Sequence, residues 1–362
     1  MSHHISVWRD AGAATSKSDL MDVVRAMSER MPFFVARKVL EAYGVSAKQG
    51  WENTLQDIQL IDDLRGIDVG GLHWALVQHI CCGEKSVRIF ELHSGNIVAA
   101  RSNIDGLFSL SRLPRPKFRQ SLNKLKSTTA PSLLAVLREP DGRYLVYGAV
   151  RKQEVQVPIE VDKLPEEARN ALPPFDELIA LRATLYQAYG VLWVPDQGNQ
   201  VEVRVDHLLG DSQQSLAEFH QQMYSHLHTL AGATSVFGPK ELFPAIKSLY
   251  EAADEGVVSE LAFATTTGST KHEKMRSKES LRKETYHVGG KEALSTDIEP
   301  YKLGVRWPVR FGLKDFLYPE LHLDGALSMV GSLTPGLSRY TVRKAVRFED
   351  YNWVRDKLLE YL

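Results

Sequence analysis

Residues 272–279 combine a histidine, a lysine and a carboxylate at a spacing that suits phosphoryl chemistry. His272 precedes Lys274 by two positions, and Glu279 follows five positions after the lysine. An imidazole in such a set can attack phosphorus without a metal ion, and a fixed ammonium group stabilises charge on the phosphoryl oxygens. The pattern H-x-K-x-x-x-x-D/E therefore makes these three residues the candidates for a metal-independent phosphodiesterase or nuclease.

This eight-residue segment resembles half of a phospholipase D-type motif. The resemblance implies that His272 is the nucleophile and that Lys274 binds a phosphate oxygen. The segment departs from the family in three features: Glu279 stands in place of Asp, residues 275–283 are almost entirely polar, and no Gly-Ser-x-Asn follows. A chance match within a charged loop is the alternative interpretation, and it is the one that we favour.

The same stretch also carries hydroxyl groups and cations in a pattern that suits phosphate oxygens. Residues 265–270 read Thr-Thr-Thr-Gly-Ser-Thr and follow a predicted strand as a small turn. Hydroxyls, backbone amides near a glycine and a group of cations can bind phosphate together. In the basic segment 271–291, we assign the following cations to nucleic acid: Lys271, Lys274, Arg276, Lys278, Arg282 and Lys283. Tyr286, which is followed closely by Gly289 and Gly290, offers a ring on which a base can stack. The alternative is a solvated helix with charge pairs such as Glu279–Lys283.

A second basic segment, residues 106–138, contains no Asp or Glu. Pro114 and Pro116 disfavour helical geometry in the residues before them and keep this part extended. The cations that we assign to the phosphate backbone are Arg112, Arg115, Lys117, Arg119, Lys124 and Lys126. Cations along one surface release counterions when they neutralise a nucleic-acid backbone. The alternative is a solvated loop and helix whose charge is balanced by acidic residues elsewhere.

Motifs typical of other enzyme classes are absent. The sequence has no Walker A loop, H-E-x-x-H, C-x-x-C or G-x-S-x-G, and no G-x-G-x-x-G after a strand. His220 and His228 lie near one face of a predicted helix but lack a third ligand, so we predict neither a metal site nor a cofactor. Glu202, Arg204 and Asp206 alternate along a predicted strand, which we interpret as an exposed strand face.

The spacing of apolar residues predicts the elements that must position these side chains. Apolar residues three and four positions apart predict helices within residues 18–65 and at 72–80, 176–189, 213–230, 240–253 and 351–362. Alternating apolar residues and turn signals predict hairpins at 87–100, 133–150 and 191–205, with turns at 94–96, 139–142 and 195–199. Single strands are predicted at 257–264, 303–311 and 317–323.

Hairpins mixed with helices favour an α+β fold over a doubly wound sheet, because strict alternation of strand and helix is missing. We predict an N-terminal helical and β-hairpin domain at residues 1–160 and a larger mixed α+β domain at residues 176–362. A Pro-rich linker at residues 161–175 is predicted between them, since Pro165, Pro173 and Pro174 punctuate this stretch.

The composition is typical of a globular chain. The 362 residues include 44 Lys and Arg, 45 Asp and Glu, and 43% hydrophobic residues. No run of about 18 apolar residues is present, so we predict no membrane span. The N-terminus does not begin as a signal or transit peptide, which predicts a cytoplasmic protein. Cys81 and Cys82 are adjacent, fit a reducing compartment and are predicted to be small core residues.

The charges are distributed unevenly along the chain. Residues 106–151 carry nine basic and two acidic side chains. Residues 152–260 carry seven basic and seventeen acidic side chains, and residues 261–362 carry seventeen basic and thirteen acidic ones. Two basic blocks separated by an acidic one indicate a polyanionic partner. We therefore predict a non-catalytic nucleic-acid-binding subunit of a larger cytosolic assembly, which contacts the phosphate backbone of DNA or RNA in genome maintenance or phage defence. The acidic block would bind a protein partner or a second copy. The alternatives are the phosphodiesterase above and a protein-binding scaffold.

Overall fold

The computed structural model describes residues 16–110, 130–173, 175, 177–207, 212–232, 237–265, 267–294, 297–312 and 315–362. Within these ranges, helices pack against a large antiparallel sheet, and the predicted α+β class is confirmed. Among the described helices, none combines the length and the apolar character needed to cross a membrane.

Ten of the described strands form one sheet, in the order β2-β3-β4-β5-β1-β12-β11-β8-β6-β7, and β9 and β10 form a separate pair. Every neighbouring pair in the large sheet is antiparallel. The strands are β1 (Lys85–Glu91), β2 (Ser132–Glu139), β3 (Gly142–Ile159), β4 (Leu178–Pro195), β5 (Gln200–Asp206), β6 (Val257–Ala264), β7 (Thr270–Lys274), β8 (Glu299–Arg306), β9 (Val309–Phe311), β10 (Asp315–Leu317), β11 (Glu320–Asp324) and β12 (Tyr340–Arg343).

The helices lie on both faces of this sheet. They are α1 (Lys17–Ser28), α2 (Phe33–Ala42), α3 (Gly50–Gln59), α4 (Val69–Cys82), α5 (Ser94–Leu110), α6 (Glu166–Ala171), α7 (Gln213–Leu230), α8 (Pro244–Glu251), α9 (Thr285–Glu292) and α10 (Phe348–Glu360). Side chains alternate between the faces of a strand, and β1 shows the result. Val87 and Ile89 pack with residues of α1–α4, α8 and α10, whereas Phe90 packs with residues of α5 and α7.

Charged residues of β5 are buried, so the prediction of an exposed strand face at Glu202, Arg204 and Asp206 is wrong. β5 is an interior strand of the sheet, and each of these charges has a partner, as buried charges require. Arg204 Nε donates to Glu202 Oε2 at 2.7 Å. Asp206 accepts hydrogen bonds from Arg30 at 2.6 Å and from Lys85 at 2.5 Å, and thereby ties the helical layer to the sheet.

Two of the predicted elements have the wrong type. Residues 94–100, predicted as the turn and second strand of a hairpin, begin helix α5. Ile97, Ala100 and Ile104 of this helix are buried at helical spacing against the sheet, which outweighs the turn signal of residues 94–96. Residues 176–189, predicted as a helix, belong largely to β4, because pairing with β3 over the whole length of both strands outweighs local helix propensity.

The hairpins β2–β3 and β4–β5 are confirmed, with turns at the predicted positions. The predicted linker, residues 161–175, lies between β3 and β4 and contains α6 in its described part. Because β3 and β4 pair up to Ile159 and Leu178, this segment is the end of a long hairpin. The strands β3 and β4, on the two sides of this segment, belong to the same sheet.

Cys81 and Cys82 end helix α4 and are both fully buried as free thiols, so their prediction as core residues is confirmed. Burial raises the pKa of Cys81 to about 12 and that of Cys82 well above its ordinary value. Both thiols therefore remain protonated at neutral pH.

Candidate functional site

Strand β7 divides the predicted phosphate-binding residues between the two faces of the sheet. Lys271 and Glu273 lie opposite Phe263 and Leu261 of β6, on one face. His272 and Lys274 lie opposite Ala262 and Glu260, on the other face. This alternation follows from the two-residue period of a strand. The basic segment 271–291 therefore contributes to two separate surfaces.

On the first face, a cleft of about 490 Å³ lies between β6, β7 and α9, and we call it the β7–α9 cleft. Its apolar lining comes from Phe263, Leu294 and Ile298. Its polar lining combines the hydroxyl-rich turn, the basic segment and α9, through Thr265, Thr267, Ser269, Lys271, Glu273, Thr285, Tyr286, His287, Gly289, Gly290 and Lys291. The structure thus brings the predicted hydroxyls, two lysines, the tyrosine ring and the glycine pair to one place.

Hydrogen bonds within the turn hold its hydroxyl groups together. Thr265 Oγ1 lies 2.8 Å from Thr267 Oγ1 and 2.9 Å from Ser269 Oγ. The Thr265 amide donates to the Ser269 carbonyl at 2.8 Å. Gly268 has φ +82°, a conformation that glycine adopts at little cost, and this closes the turn. The hydroxyls face the cleft as a fixed group.

Helix α9 is held against the sheet by the buried imidazole of His287. Its Nδ1 lies 2.6 Å from Glu273 Oε2, and its Nε2 lies 2.8 Å from Tyr250 Oη. Burial raises the pKa of Tyr250 to about 12, so the phenol stays protonated. Because a carboxylate oxygen only accepts, Nδ1 donates the hydrogen bond to Glu273. With both ring nitrogens engaged, His287 positions the wall of the cleft.

On the second face, four side chains surround the carboxylate of Glu260. His272 Nε2 lies 2.8 Å and Lys302 Nζ 3.0 Å from Oε1. Lys274 Nζ lies 3.5 Å and His322 Nδ1 3.8 Å from Oε2. Burial opposes ionisation of Glu260, but the hydrogen bonds from Lys302 and His272 outweigh it and lower its pKa to about 2.

The carboxylate beside His272 is thus Glu260, and the structure does not show Glu279 in this cluster. Glu279 is exposed in the loop after β7, where its amide donates to Ser277 Oγ. The sequence does not indicate Glu260, Lys302 and His322 as site residues, because only the pairing of β6, β8 and β11 in the sheet brings them near β7. The only local signal is the polar residue Glu260 within the apolar run of β6.

The remaining predicted residues have different environments. Arg276, Lys278 and Lys283 are exposed. The guanidinium of Arg282 donates to the carbonyls of Leu249, Tyr250, Glu255 and Gly256, so it is engaged within the fold. The six cations of the other basic segment lie outside the described residues; they are Arg112, Arg115, Lys117, Arg119, Lys124 and Lys126.

Within the described ranges, no three His, Cys, Asp or Glu residues form a group that could hold a metal ion. No family model matches the chain, and searches of curated proteins and of solved structures find no match.

Proposed function

We propose that the protein binds nucleic acid through the phosphate backbone, as a non-catalytic subunit of a larger cytoplasmic assembly in genome maintenance or phage defence. The observation that carries the proposal is the β7–α9 cleft. Lys271, Lys291, the hydroxyls of Thr265, Thr267 and Ser269, and the ring of Tyr286 all line it. Ammonium groups and hydroxyls are the groups that contact phosphate oxygens in nucleic-acid complexes.

Charge beyond the cleft supports the same proposal. Arg276, Lys278 and Lys283 are exposed in the chain between β7 and α9. Cations on a continuous stretch of surface bind a polyanion by releasing its counterions, which makes the affinity depend steeply on salt.

An aromatic ring beside the cations favours a single strand. Tyr286 is 74% exposed although it lines the cleft. Unpaired bases stack on exposed aromatic rings whatever their sequence, with about 1–3 kcal/mol per base. In a duplex the bases already stack on each other, so this contribution is lost.

The first experiment measures binding of fluorescently labelled 20-nucleotide single strands and duplexes, of DNA and of RNA, over a salt series. The variant Lys271→Glu/Lys291→Glu should lower the affinity at least about fivefold and reduce the salt slope by about one per lysine. The matched control is Lys17→Glu/Lys163→Glu, which makes the same charge change in α1 and in the segment between β3 and α6. The proposal fails if the wild type does not bind at low salt, or if the control loses as much affinity.

The second experiment tests the stacking ring. Tyr286→Ala should weaken single-strand binding about tenfold and leave duplex binding unchanged. Phe175→Ala is the control, because Phe175 is also exposed but lies in the segment between β3 and β4. Equal losses of single-strand affinity in the two variants would show that Tyr286 is not part of the proposed site.

The cluster around Glu260 favours a second candidate function, a metal-independent phosphodiesterase. His272 is half exposed and shares Glu260 with two lysines, which suits a nucleophile next to cations that bind phosphoryl oxygens. The ring nitrogen not bonded to Glu260 would attack phosphorus and displace an alkoxide, which takes a proton from water. A water molecule would then cleave the P–N bond and restore the imidazole.

Hydrolysis of bis(p-nitrophenyl) phosphate in the presence of EDTA tests this second function. Activity should be lost in His272→Ala and kept in His93→Ala, which removes an exposed histidine elsewhere. Nucleic-acid binding without hydrolysis supports the non-catalytic function. A co-purifying protein without any affinity for nucleic acid would instead support a scaffold.

A further inference from the structure

We infer that two copies of this chain associate by pairing strand β4 of one copy with strand β4 of the other. The segment that pairs is residues 181–185, in the part of β4 that extends beyond β5. Among the described strands, β5 pairs with β4 only at residues 190–193, and β3 alone pairs with residues 178–189. One edge of this long segment therefore has no neighbouring strand within the described part of the chain.

Side chains at the base of this edge show which backbone groups point away from β3. The Gln187 carbonyl accepts a hydrogen bond from Arg30 at 3.1 Å. The Tyr189 amide donates to the Asp206 carboxylate at 2.7 Å. Neither partner belongs to β3, and the direction of the backbone groups alternates along an antiparallel strand. The odd-numbered residues of this part of β4 therefore direct their N–H and C=O groups to the free edge.

Leu181 and Leu185 are odd-numbered residues of the same strand, so their backbone groups also point to the free edge. Their side chains lie on one face of the hairpin and are 66% and 54% exposed. Further large apolar side chains are exposed in the same hairpin, namely Val157, Val161, Leu172, Phe175 and Ile179. Such an accumulation of exposed apolar side chains is typical of a surface that contacts another protein.

The free edge of β4 lacks the features that prevent the edge of a sheet from pairing with another chain. Those features include short strands, lysines, prolines and inward-pointing charges. Residues 178–189 contain no Lys, Asp, Glu or Pro, and their single charged residue is Arg182. By contrast, the outermost strand β7 has only five residues, of which two are lysines, and the part of β3 beyond β2 contains Pro158. Nothing in the sequence of this β4 segment opposes its association with an identical edge.

A second copy of β4 fits this edge in one register. Antiparallel pairing about a two-fold axis at residue 183 places Leu181 of each copy opposite Leu185 of the other, on one face. The outward N–H and C=O groups of residues 181, 183 and 185 then face each other, which gives about two hydrogen bonds for each facing pair.

The charge of the segment also favours a second copy over a partner of opposite charge. Arg182 is the only charge that such a partner could bind in residues 178–189. In the two-fold register, Arg182 lies opposite residue 184 and not opposite the same arginine of the other copy. Like charges directly opposite each other would be destabilising, and this register avoids them.

The two-fold axis brings further apolar groups into the interface. Because the paired strands are antiparallel, the end of the hairpin in one copy lies beside the base of β4 in the other, near residue 189. This end carries the exposed side chains of Leu172 and Phe175. Their burial adds to the pairing of the strands, and a stable interface needs about 1,000 Å² or more in total.

The first experiment measures the mass of the full chain by sedimentation over about 1–100 μM. The wild type should be a dimer in the upper part of this range. Leu181→Lys/Leu185→Lys should weaken dimerisation at least about tenfold, because four ammonium groups would then meet at the paired edge. The matched control is Leu60→Lys/Val98→Lys, which changes two exposed apolar residues after α3 and in α5 and should dimerise as the wild type does. Circular dichroism checks that each variant is folded.

The second experiment tests the register with introduced cysteines. Residue 181 should face residue 185 of the other copy, whereas the two copies of residue 181 should lie about 13 Å apart along the strands, too far for a disulfide. An equimolar mixture of Leu181→Cys and Leu185→Cys should therefore form a cross-linked dimer on oxidation, and neither variant should do so alone. The native Cys81 and Cys82 are buried and leave this result unaffected.

Three results would overturn the inference. The first is a wild type that remains a monomer at about 100 μM. The second is a folded Leu181→Lys/Leu185→Lys variant that dimerises as tightly as the wild type, since association would then use another surface. The third is a cysteine mixture that cross-links no better than each variant alone, which would contradict the two-fold pairing of β4.

Discussion

At the scale of single residues, the role of each arginine follows from the oxygen atoms around it. Arg204 has a carboxylate and aromatic rings, with its guanidinium 3.8 Å from the ring centroid of Tyr351. Arg282 has backbone carbonyls, and Arg88 Nε is buried without a hydrogen-bond partner among the described residues. A guanidinium bound to carboxylates or carbonyls stabilises the fold through these charged hydrogen bonds. The three residues are alike in the sequence and differ only in what the fold places beside them.

Replacement of Arg282 tests its structural role. Arg282→Ala should lower the free energy of unfolding by about 2 kcal/mol, because the carbonyls at the end of α8 lose their charged donor. Urea unfolding measures this loss. Lys283→Ala, at the exposed neighbouring residue, should change the stability by less than about 0.5 kcal/mol. Similar values for the two variants would contradict the structural assignment.

Glu260 should make stability depend on pH. Its pKa of about 2 in the folded chain is below the ordinary value of 4.5, so ionised Glu260 stabilises the fold above pH 4.5. This contribution is lost as the pH falls from 4.5 towards 2. Glu260→Gln should therefore cost about 2 kcal/mol at pH 6 and clearly less at pH 3. Denaturant unfolding at several pH values checks this, with the half-exposed Glu299→Gln as a control whose effect is small at every pH.

At the scale of elements, hairpins with clear turn residues could be predicted from the sequence, and longer-range pairing could not. Residues 139–142, Glu-Pro-Asp-Gly, specify the β2–β3 turn locally. Ile97, Ala100 and Ile104 have helical spacing, and their burial against the sheet outweighs the turn signal of residues 94–96. Nothing local marks residues 178–185 as a strand, because only β3 supplies their hydrogen bonds.

The β3–β4 hairpin has an inner and an outer half. Residues 142–148 of β3 pair with β2 as well as β4, whereas residues 149–159 pair with β4 alone among the described strands. A two-stranded ribbon is marginally stable by itself. Its outer half also exposes Leu181 and Leu185, and neither belongs to the two core clusters of the described residues.

Hydrogen exchange should distinguish the two halves. We expect the amides of residues 156–159 to exchange at least about tenfold faster than those of residues 142–148, because residues 156–158 are exposed whereas residues 144–147 are buried. Mass spectrometry of peptides from the two halves measures the rates. Equal protection of the two segments would contradict this prediction.

At the scale of the whole molecule, the sheet joins distant parts of the chain. β1 lies between β5 and β12, so residues near 86, 205 and 341 are neighbours. This explains why the sequence indicated the β7–α9 cleft but not the buried ion pair of Lys85 and Asp206. The cleft is formed mostly within residues 263–298, whereas Lys85 and Asp206 meet only because β1 and β5 pair. Which strands pair at such separation has no local signature.

The shared sheet should make unfolding cooperative. Helical signal in circular dichroism and tryptophan fluorescence should follow one denaturation curve, because β1, β5 and β12 cannot separate without exposing the core on both faces. Two domains that fold independently on either side of residues 161–175 would give two transitions.

The reactivity of the adjacent thiols at the end of α4 reports how often the core opens. An alkylating reagent needs an accessible thiolate, and Cys81 and Cys82 offer one only when the helical layer leaves the sheet. The rate at which the native protein reacts with iodoacetamide therefore measures how often the core opens. A cysteine introduced on the surface would react at once, so dyes can be attached there without first removing the two native thiols.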